Sequence, residues 1–313
     1  MMMPKLVFFG NERLATGVST ETPVLRALTA SGYAVAAVIA NQNQQRSRQN
    51  RRLEIASTAK QLGVPLLLPN KLETISRQLR EFQAEVAVLV AYGSLIPQDI
   101  IKIFPKGIIN IHPSLLPLYR GPTPIEQTIL DGVTHTGASL MKLTAQMDSG
   151  PVYYQKSLDI LGSETKQELA DKLLELGKNL LIQKLPAILD GSLKPLPQDF
   201  AQATTTSSLK KTDGQINWQL PAQIIERQVR AYQSWPKSRA KIYGHDVIIT
   251  KARVADNQND GDLVISCGPG LDAEGSRLRP ERQSWLEIQQ LTAPSGRTIS
   301  GTEFLRGYPI SRN

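Results

Sequence analysis

From Lys5 to Ile111, short apolar runs rich in β-branched residues alternate with segments of helical spacing, and few folds accommodate that rhythm. The apolar runs at 5–9, 35–39, 64–68, 86–90 and 108–111 predict strands. Between them, 23–30, 53–62 and 73–82 predict helices, the first opening on Pro23, which suits a first turn. A run such as Val86-Ala-Val-Leu-Val90 is apolar on both faces, as in a strand covered on both sides. The pattern predicts a parallel, doubly wound sheet. Ligands then sit beyond the carboxyl ends of the strands, near a switch point. Three loops qualify, after Gly10, after Val90 (Ala91-Tyr92-Gly93) and after Ile111. The first is Gly10-Asn-Glu-Arg-Leu-Ala-Thr-Gly17, not Gly-x-Gly-x-x-Gly, so a dinucleotide oxidoreductase loses its main support.

Further along, 124–130 predicts a short helix and 138–143 a strand. Thr165-x-x-Glu168 has capping-box spacing ahead of Leu169, Leu173, Leu176 and Leu180, a core-facing stripe on a helix that Pro186 is expected to kink or divide. Residues 191–208, with prolines and a Thr/Ser run, read as a linker. The expected division is 1–190, linker 191–208, and 209–313. The last part predicts one helix (221–232) and strands at 240–243, 247–254, 263–266 and 285–291, with a turn at Gly244-His245: a small barrel-like β domain.

The 313 residues suffice for two domains with separate cores. A formal net charge of +8 suits a polyanionic partner, nucleic acid above all, although a solvated basic surface has the same balance. Cys267 is the single cysteine, which excludes an intrachain disulfide and predicts a cytoplasmic setting; it stands in a strand-like run with no neighbouring histidine, and a catalytic role is not expected. The N-terminus lacks signal-peptide character, and no apolar run reaches the ~20 residues of a membrane helix.

Chemistry concentrates around Gly107-Ile-Ile-Asn-Ile-His-Pro-Ser-Leu-Leu-Pro-Leu-Tyr-Arg-Gly121 and Gln146-Met-Asp-Ser-Gly150. Asn110 and His112, two apart on a strand, share a face, and Pro113 ends the strand. An amide donates without changing charge, an imidazole exchanges a proton near neutrality, and a carboxylate such as Asp148 favours its charged form. The set suits acyl transfer, in which charge builds on a carbonyl oxygen while protons move at an amine. Ser114 lacks a Gly-x-Ser-x-Gly elbow, and Asn110-x-His112 offers one strong metal ligand, so neither a serine hydrolase nor a metal site is expected. Three such residues so far apart are, alone, more often structural than catalytic.

Taken in order, Asn110-x-His112, Ser114-Leu-Leu-Pro117, Tyr119-Arg-Gly121 and Met147-Asp-Ser-Gly150 resemble the signature of the folate-dependent formyltransferases, and Val90-Ala-Tyr-Gly-Ser-Leu-Ile-Pro97 resembles that family's folate-pocket segment. Ile216-Asn-Trp218, Arg230-Ala-Tyr-Gln-Ser-Trp-Pro236 and Ser300-Gly-Thr-Glu-Phe-Leu-Arg-Gly307 are similar to the C-terminal domain of the branch that formylates methionyl-tRNA. The resemblance implies an α/β, Rossmann-like, mostly parallel first domain and a smaller OB-like barrel. It implies Asn110, His112 and Asp148 as the catalytic set, and Ser114, Leu115, Leu116, Pro117, Ala91, Tyr92 and Gly93 around 10-formyltetrahydrofolate, the formyl donor. No metal is implied. The acceptor would be the α-amine of methionyl initiator tRNA, bound by a monomer through Arg46, Arg48, Arg51 and Arg52 of the first domain and Lys210, Lys211 and Arg239 of the second, with Arg227, Arg230, Lys237 and Lys241 as further candidates. Two stretches depart from the family: the insertion around Arg46–Arg52 is rich in Gln and Arg and lacks a Pro-Asp-Arg-Pro segment, and the first loop, 11–22, is longer than a Gly-Thr-Pro turn. A sugar-nucleotide N-formyltransferase and a non-catalytic tRNA-binding protein remain the rival readings.

Overall fold

A computed structural model describes residues 4–41, 53–271 and 278–308. The chain divides into two compact units. The first comprises Met1–Ile125, Thr134–Leu161 and Gln167–Ser207; the second comprises Glu126–Val133, Gly162–Lys166 and Ser208–Asn313.

Among the described residues the first unit holds one seven-stranded sheet. Its strands are β1 (Lys5–Gly10), β2 (Ala34–Ile39), β3 (Leu66–Leu67), β4 (Val86–Val90), β5 (Ile108–His112), β6 (His135–Lys142) and β7 (Val152–Asp159), in the order β3-β2-β1-β4-β5-β6-β7. The first five are mutually parallel, and β6 and β7 extend the β5 edge antiparallel. The order reverses between β1 and β4, the switch point that a doubly wound sheet requires. Helices α1 (Pro23–Ala30), α2 (Glu54–Gln61), α3 (Ser76–Glu81) and α4 (Gln98–Ile101) connect the first strands, and α5 (Pro124–Asp131), most of which belongs to the second unit, follows β5 in the chain. The last long helix, α6 (Lys166–Asp190), continues through Pro186, so of the kink or division expected there the division does not occur. Leu180, Leu181, Leu185, Ile188 and Leu189 bury on either side of that proline, and their packing outweighs one lost backbone bond. Gly177 lets α6 approach β5, since a Cβ there would lie 2.4 Å from Ile111 Cγ2. The helix thus occupies the Ile111 side, and Asn110 and His112, at alternate positions, face the other way.

The loop after β1 is organised by Glu12, a residue that periodicity did not single out. Its buried carboxylate accepts from the backbone N–H groups of Val24 and Leu25, each at 2.8 Å, in the first turn of α1. Burial pushes this carboxyl from 4.5 up to about 7, against the opposing pull of those N–H groups and Arg26. A carboxyl whose pKa is raised by folding favours the fold in its protonated form. Its contribution is complete below pH 4.5 and is lost as pH rises through about 7. The stability of Glu12→Gln relative to the wild type is therefore expected to rise by roughly 3 kcal/mol between pH 4.5 and 8, from a low-pH deficit set by the one backbone N–H that the amide NH2 cannot accept. Urea unfolding across that range measures it, and a pH-independent difference would contradict the raised carboxyl.

The second unit is built on an antiparallel sheet in the order β10-β11-β9-β8, from β8 (Ser238–Ile242), β9 (His245–Ala255), β10 (Val264–Leu271) and β11 (Leu278–Thr292), with β12 (Thr298–Ser300) pairing β11. Tyr243 and Gly244, both at positive φ, make the two-residue turn between β8 and β9. The ladder between the long strands β9 and β11 shifts register at Gln290, and such bulges curl a sheet. The expected barrel-like domain is thus an open antiparallel half-barrel. Helix α7 (Ala222–Ala231) buries Ile225 and Val229 against Ile249, Leu286 and Ile288, and α8 (Gly301–Gly307), started by a Ser300–Glu303 capping box, adds Phe304 to the same core.

Candidate active site

Strand β5 delivers Asn110 and His112 buried, opposite Met141 and Ser139 of β6, with Leu89 of β4 flanking Asn110. His112 Nε2 lies 3.0 Å from the Tyr119 carbonyl. A carbonyl only accepts, so Nε2 carries a proton and donates it, leaving Nδ1 as the nitrogen free to take up or give up another. Nδ1 faces Asp148 Oδ2 at 3.8 Å, close enough for charges to interact and too long for a direct hydrogen bond. The structure therefore brings Asn110, His112 and Asp148 into one site, although Asp148 is distant in sequence.

The loop after β5 is held rigidly. Ser114 Oγ donates to the Leu118 carbonyl at 2.6 Å, and Ser139 Oγ donates to the Ser114 carbonyl at 2.6 Å while accepting from the Leu116 N–H at 3.1 Å. Gln155 of β7 closes this network by donating to the Leu116 carbonyl and to Ser139 Oγ. At the far end Gly121 N–H donates to Asp148 Oδ2 at 2.8 Å. Gly121 has φ 110°, and a Cβ there would come within 2.7 Å of the Thr206 carbonyl, so no other residue fits this crossing. Asp148 itself is left-handed (φ 46°), a conformation that Asp tolerates better than most residues.

The other expected site residues fall into groups. Ser114 and Leu116 are buried by their own loop, Leu115 lies against Gly137 of β6, and Pro117 is half-buried beside the exposed Leu118. Ala91 and Gly93 follow β4 at positive φ, next to the end of β5. Tyr92 turns inward between them: its ring packs edge-on against Phe9, with centroids 5.7 Å apart, and burial, aided by Glu73, pushes its hydroxyl to about 12. Only the backbone of Tyr92 is thus available to a ligand. Lys210, Lys211, Lys237 and Lys241 are exposed on the second unit, and Arg239 is half-buried. Arg230 is committed to Glu226 (2.6 Å) and the Glu164 carbonyl, and Arg227 donates to the Asp131 carbonyl. Arg46, Arg48, Arg51 and Arg52 lie outside the described residues. Cys267 is buried, and its thiol is pushed up to about 12, which suits a core side chain and not a nucleophile. Among the described residues, no cluster of three His, Cys, Asp or Glu could hold a metal, and no helix is long and apolar enough to cross a membrane.

Sequence reasoning placed Arg120 in the Tyr119-Arg-Gly121 motif without a role and missed Gln198. Both are buried, and Gln198 Oε1 accepts from Arg120 Nε at 3.0 Å and Nη2 at 2.8 Å. Gln198 belongs to the stretch whose composition reads as a linker. That stretch is bound into the first unit, through β-bridges of Leu196 to Val152 and Thr205 to Arg120 and a 3₁₀ turn at Phe200–Gln202.

With this geometry in view, comparison with known proteins is direct. Residues 14–185 match the Formyl transferase family and residues 208–309 match Formyl transferase, C-terminal domain. A methionyl-tRNA formyltransferase of Chloroflexus aurantiacus is 38% identical over 309 residues, covering 97% of this chain and 96% of that protein. Among solved structures, methionyl-tRNA formyltransferase from Clostridium thermocellum aligns with a TM-score of 0.53 at 16% identity, over 80% of this chain and 93% of its own. The N-formyltransferase from Helicobacter canadensis, solved with folinic acid and dTDP-3-aminofucose, aligns with a TM-score of 0.65 at 16% identity, over 91% and 98%. The two structures share the fold; the identity and coverage of the Chloroflexus protein carry more. Both family matches fall in chain order, and the chain belongs to the methionyl-tRNA formyltransferase family.

Proposed function

We propose that this enzyme transfers the formyl group of 10-formyltetrahydrofolate to the α-amino group of methionyl initiator tRNA in the cytoplasm, as a monomer, with Asn110, His112 and Asp148 as its catalytic residues. The observation that carries this reading is the buried imidazole whose Nε2 is occupied by the Tyr119 carbonyl and whose Nδ1 faces Asp148 across 3.8 Å. The gap is too long for a direct hydrogen bond, and an amine or a water set against both groups would span it.

The residues around the site suit a formyl-folate. Two residues at positive φ, Ala91 and Gly93, allow backbone to come close to a ring, and the exposed Leu95 of the same loop, Leu118 of the loop after β5 and Met147 beside Asp148 offer apolar cover. Bound there, the donor supplies an activated formyl carbon. A model α-amine has a pKa of ~7.7–8.0, so part of it is neutral near pH 7.5 and able to attack. As it does, the Asn110 amide and the protonated His112 stabilise charge developing on the formyl oxygen, and Asp148 balances the imidazolium and accepts the proton leaving the amine; the bond from the formyl carbon to the folate nitrogen then breaks, and that nitrogen leaves with the proton the amine gave up. No covalent enzyme intermediate is required. Arg46, Arg48, Arg51 and Arg52, with Lys210, Lys211 and Arg239, would meet RNA phosphates and give affinity that falls steeply with salt.

Single-turnover formyl transfer to methionyl initiator tRNA, with methionyl elongator tRNA and an amino-sugar nucleotide in parallel, tests the reading. Rapid, initiator-selective transfer is expected. Transfer to the sugar alone would discard the RNA acceptor, and bound tRNA without any transfer would leave a binding protein on an enzyme's scaffold.

A further inference from the structure

Asp148 is held from two directions, and the second has no place in the reaction described so far. Its carboxylate takes the Gly121 N–H, while its backbone carbonyl takes a hydrogen bond from Gln198 Nε2 at 2.9 Å; the same amide nitrogen reaches the Gly150 carbonyl at 2.7 Å. The other end of the Gln198 amide accepts from two nitrogens of Arg120. A guanidinium only donates and carbonyls only accept, so the amide can face just one way, and both its hydrogens and both its acceptor sites are used. Arg120 is fixed in turn. Its N–H donates to the Thr204 carbonyl (2.9 Å), its carbonyl accepts from Thr206 N–H (2.7 Å), and its guanidinium lies 4.4 Å from the centre of the Phe200 ring.

From this arrangement we infer that Gln198 is a positioning residue for the transfer reaction, setting the backbone of the left-handed Asp148 so that its carboxylate stays opposite His112 Nδ1. The inference rests on the proposed roles of Asp148 and His112. A buried amide with each bond satisfied resists rotation, whereas an apolar side chain of the same length would leave two carbonyls and a guanidinium without these partners. A shift of Asp148 by ~1 Å is enough to cost ~10²-fold in rate.

Gln198→Met keeps the length and removes all four bonds. Gln198→Glu keeps the acceptor for Arg120 and replaces the N–H donors that face Asp148 and Gly150. Both variants are expected to lower the single-turnover rate by ~10–100-fold, with KM for the formyl donor and for tRNA held within about twofold. In an Asp148→Asn background, Gln198→Met is expected to cost less than about twofold more, because it acts through a carboxylate already lost. A Gln198→Met enzyme at wild-type rate would overturn the inference, as would an undiminished loss in the Asp148→Asn background. If Gln198→Met does not fold, Gln198→Glu, alone and with Asp148→Asn, decides by the same criteria. A wild-type enzyme that transfers no formyl group would refute the parent reading instead, so the two failures are distinct.

Discussion

Replacing His112 with alanine is expected to slow formyl transfer at least ~10²–10³-fold, the usual cost of removing one placed oxyanion donor, while tRNA still binds. Alanine also strips the Tyr119 carbonyl of its donor, so the sharper variant is His112→Gln. Its amide can still donate to that carbonyl (now 3.0 Å from Nε2) but cannot carry a charge. If the ionisable Nδ1 facing Asp148 matters, His112→Gln falls as far as His112→Ala; if Nε2 and loop support suffice, it recovers. Asn110→Ala is expected to lose a similar factor without changing the loop, because Asn110 is on the strand. Single-turnover rates with both substrates saturating separate these outcomes, and near-wild-type turnover in either His112→Gln or Asn110→Ala would remove that residue from the mechanism.

Lys166→Met is expected to destabilise the second unit by about 3–5 kcal/mol, the range found when one partner of a buried ion pair is removed. Lys166 and Glu126 are each 1% exposed, with Nζ 3.5 Å from Oε1, and Nζ also donates to the Trp235 carbonyl at 3.0 Å. Burial pulls the lysine pKa down, and the Glu126 charge opposes that shift. Methionine fills the space of the lysine stem and leaves the carboxylate without this cation. The double variant Lys166→Met/Glu126→Gln is expected to recover most of the loss, since a neutral amide at 126 no longer calls for the lysine cation beside it. Urea midpoints for the two singles and the double measure the coupling. A single variant within 1 kcal/mol of wild type would mean that the pair does not hold charge in the fold.

How far the sequence could be read follows from how local each feature is. Strands β1, β4 and β5 are buried on both faces, so their composition alone reveals them, and Asn110 and His112 stand out as polar residues at alternate positions of such a run. β7 escaped because it is an edge strand: Val152-Tyr-Tyr-Gln-Lys-Ser-Leu-Asp159 is half-exposed and shows no clean alternation. β3 shrinks to Leu66–Leu67 at the opposite edge for the same reason. Asp148 was legible only by resemblance, since no periodicity links it to His112. Gln198 was not legible at all. Threonine, serine and proline describe a flexible composition whether or not one glutamine in it finds a guanidinium and two carbonyls. Glu12 was hidden likewise, because a carboxylate that binds the N–H groups of a helix starting at Pro23 does so through a loop of irregular backbone.

The position of Gln198 also has a bearing on synthesis. It follows Asp148 by 50 residues, and the Thr204–Thr206 contacts to Arg120 come later still. At translation rates of ~5–20 residues/s, roughly 3–10 s pass between the addition of Asp148 and that of Gln198. During that interval a nascent chain already contains β1 to β6, Asn110, His112 and Asp148, yet lacks the strap that fixes the Asp148 turn. The ribosome thus makes the chemical groups first and their fastening last, and a chain released early would carry the signature of the enzyme with its carboxylate unsecured.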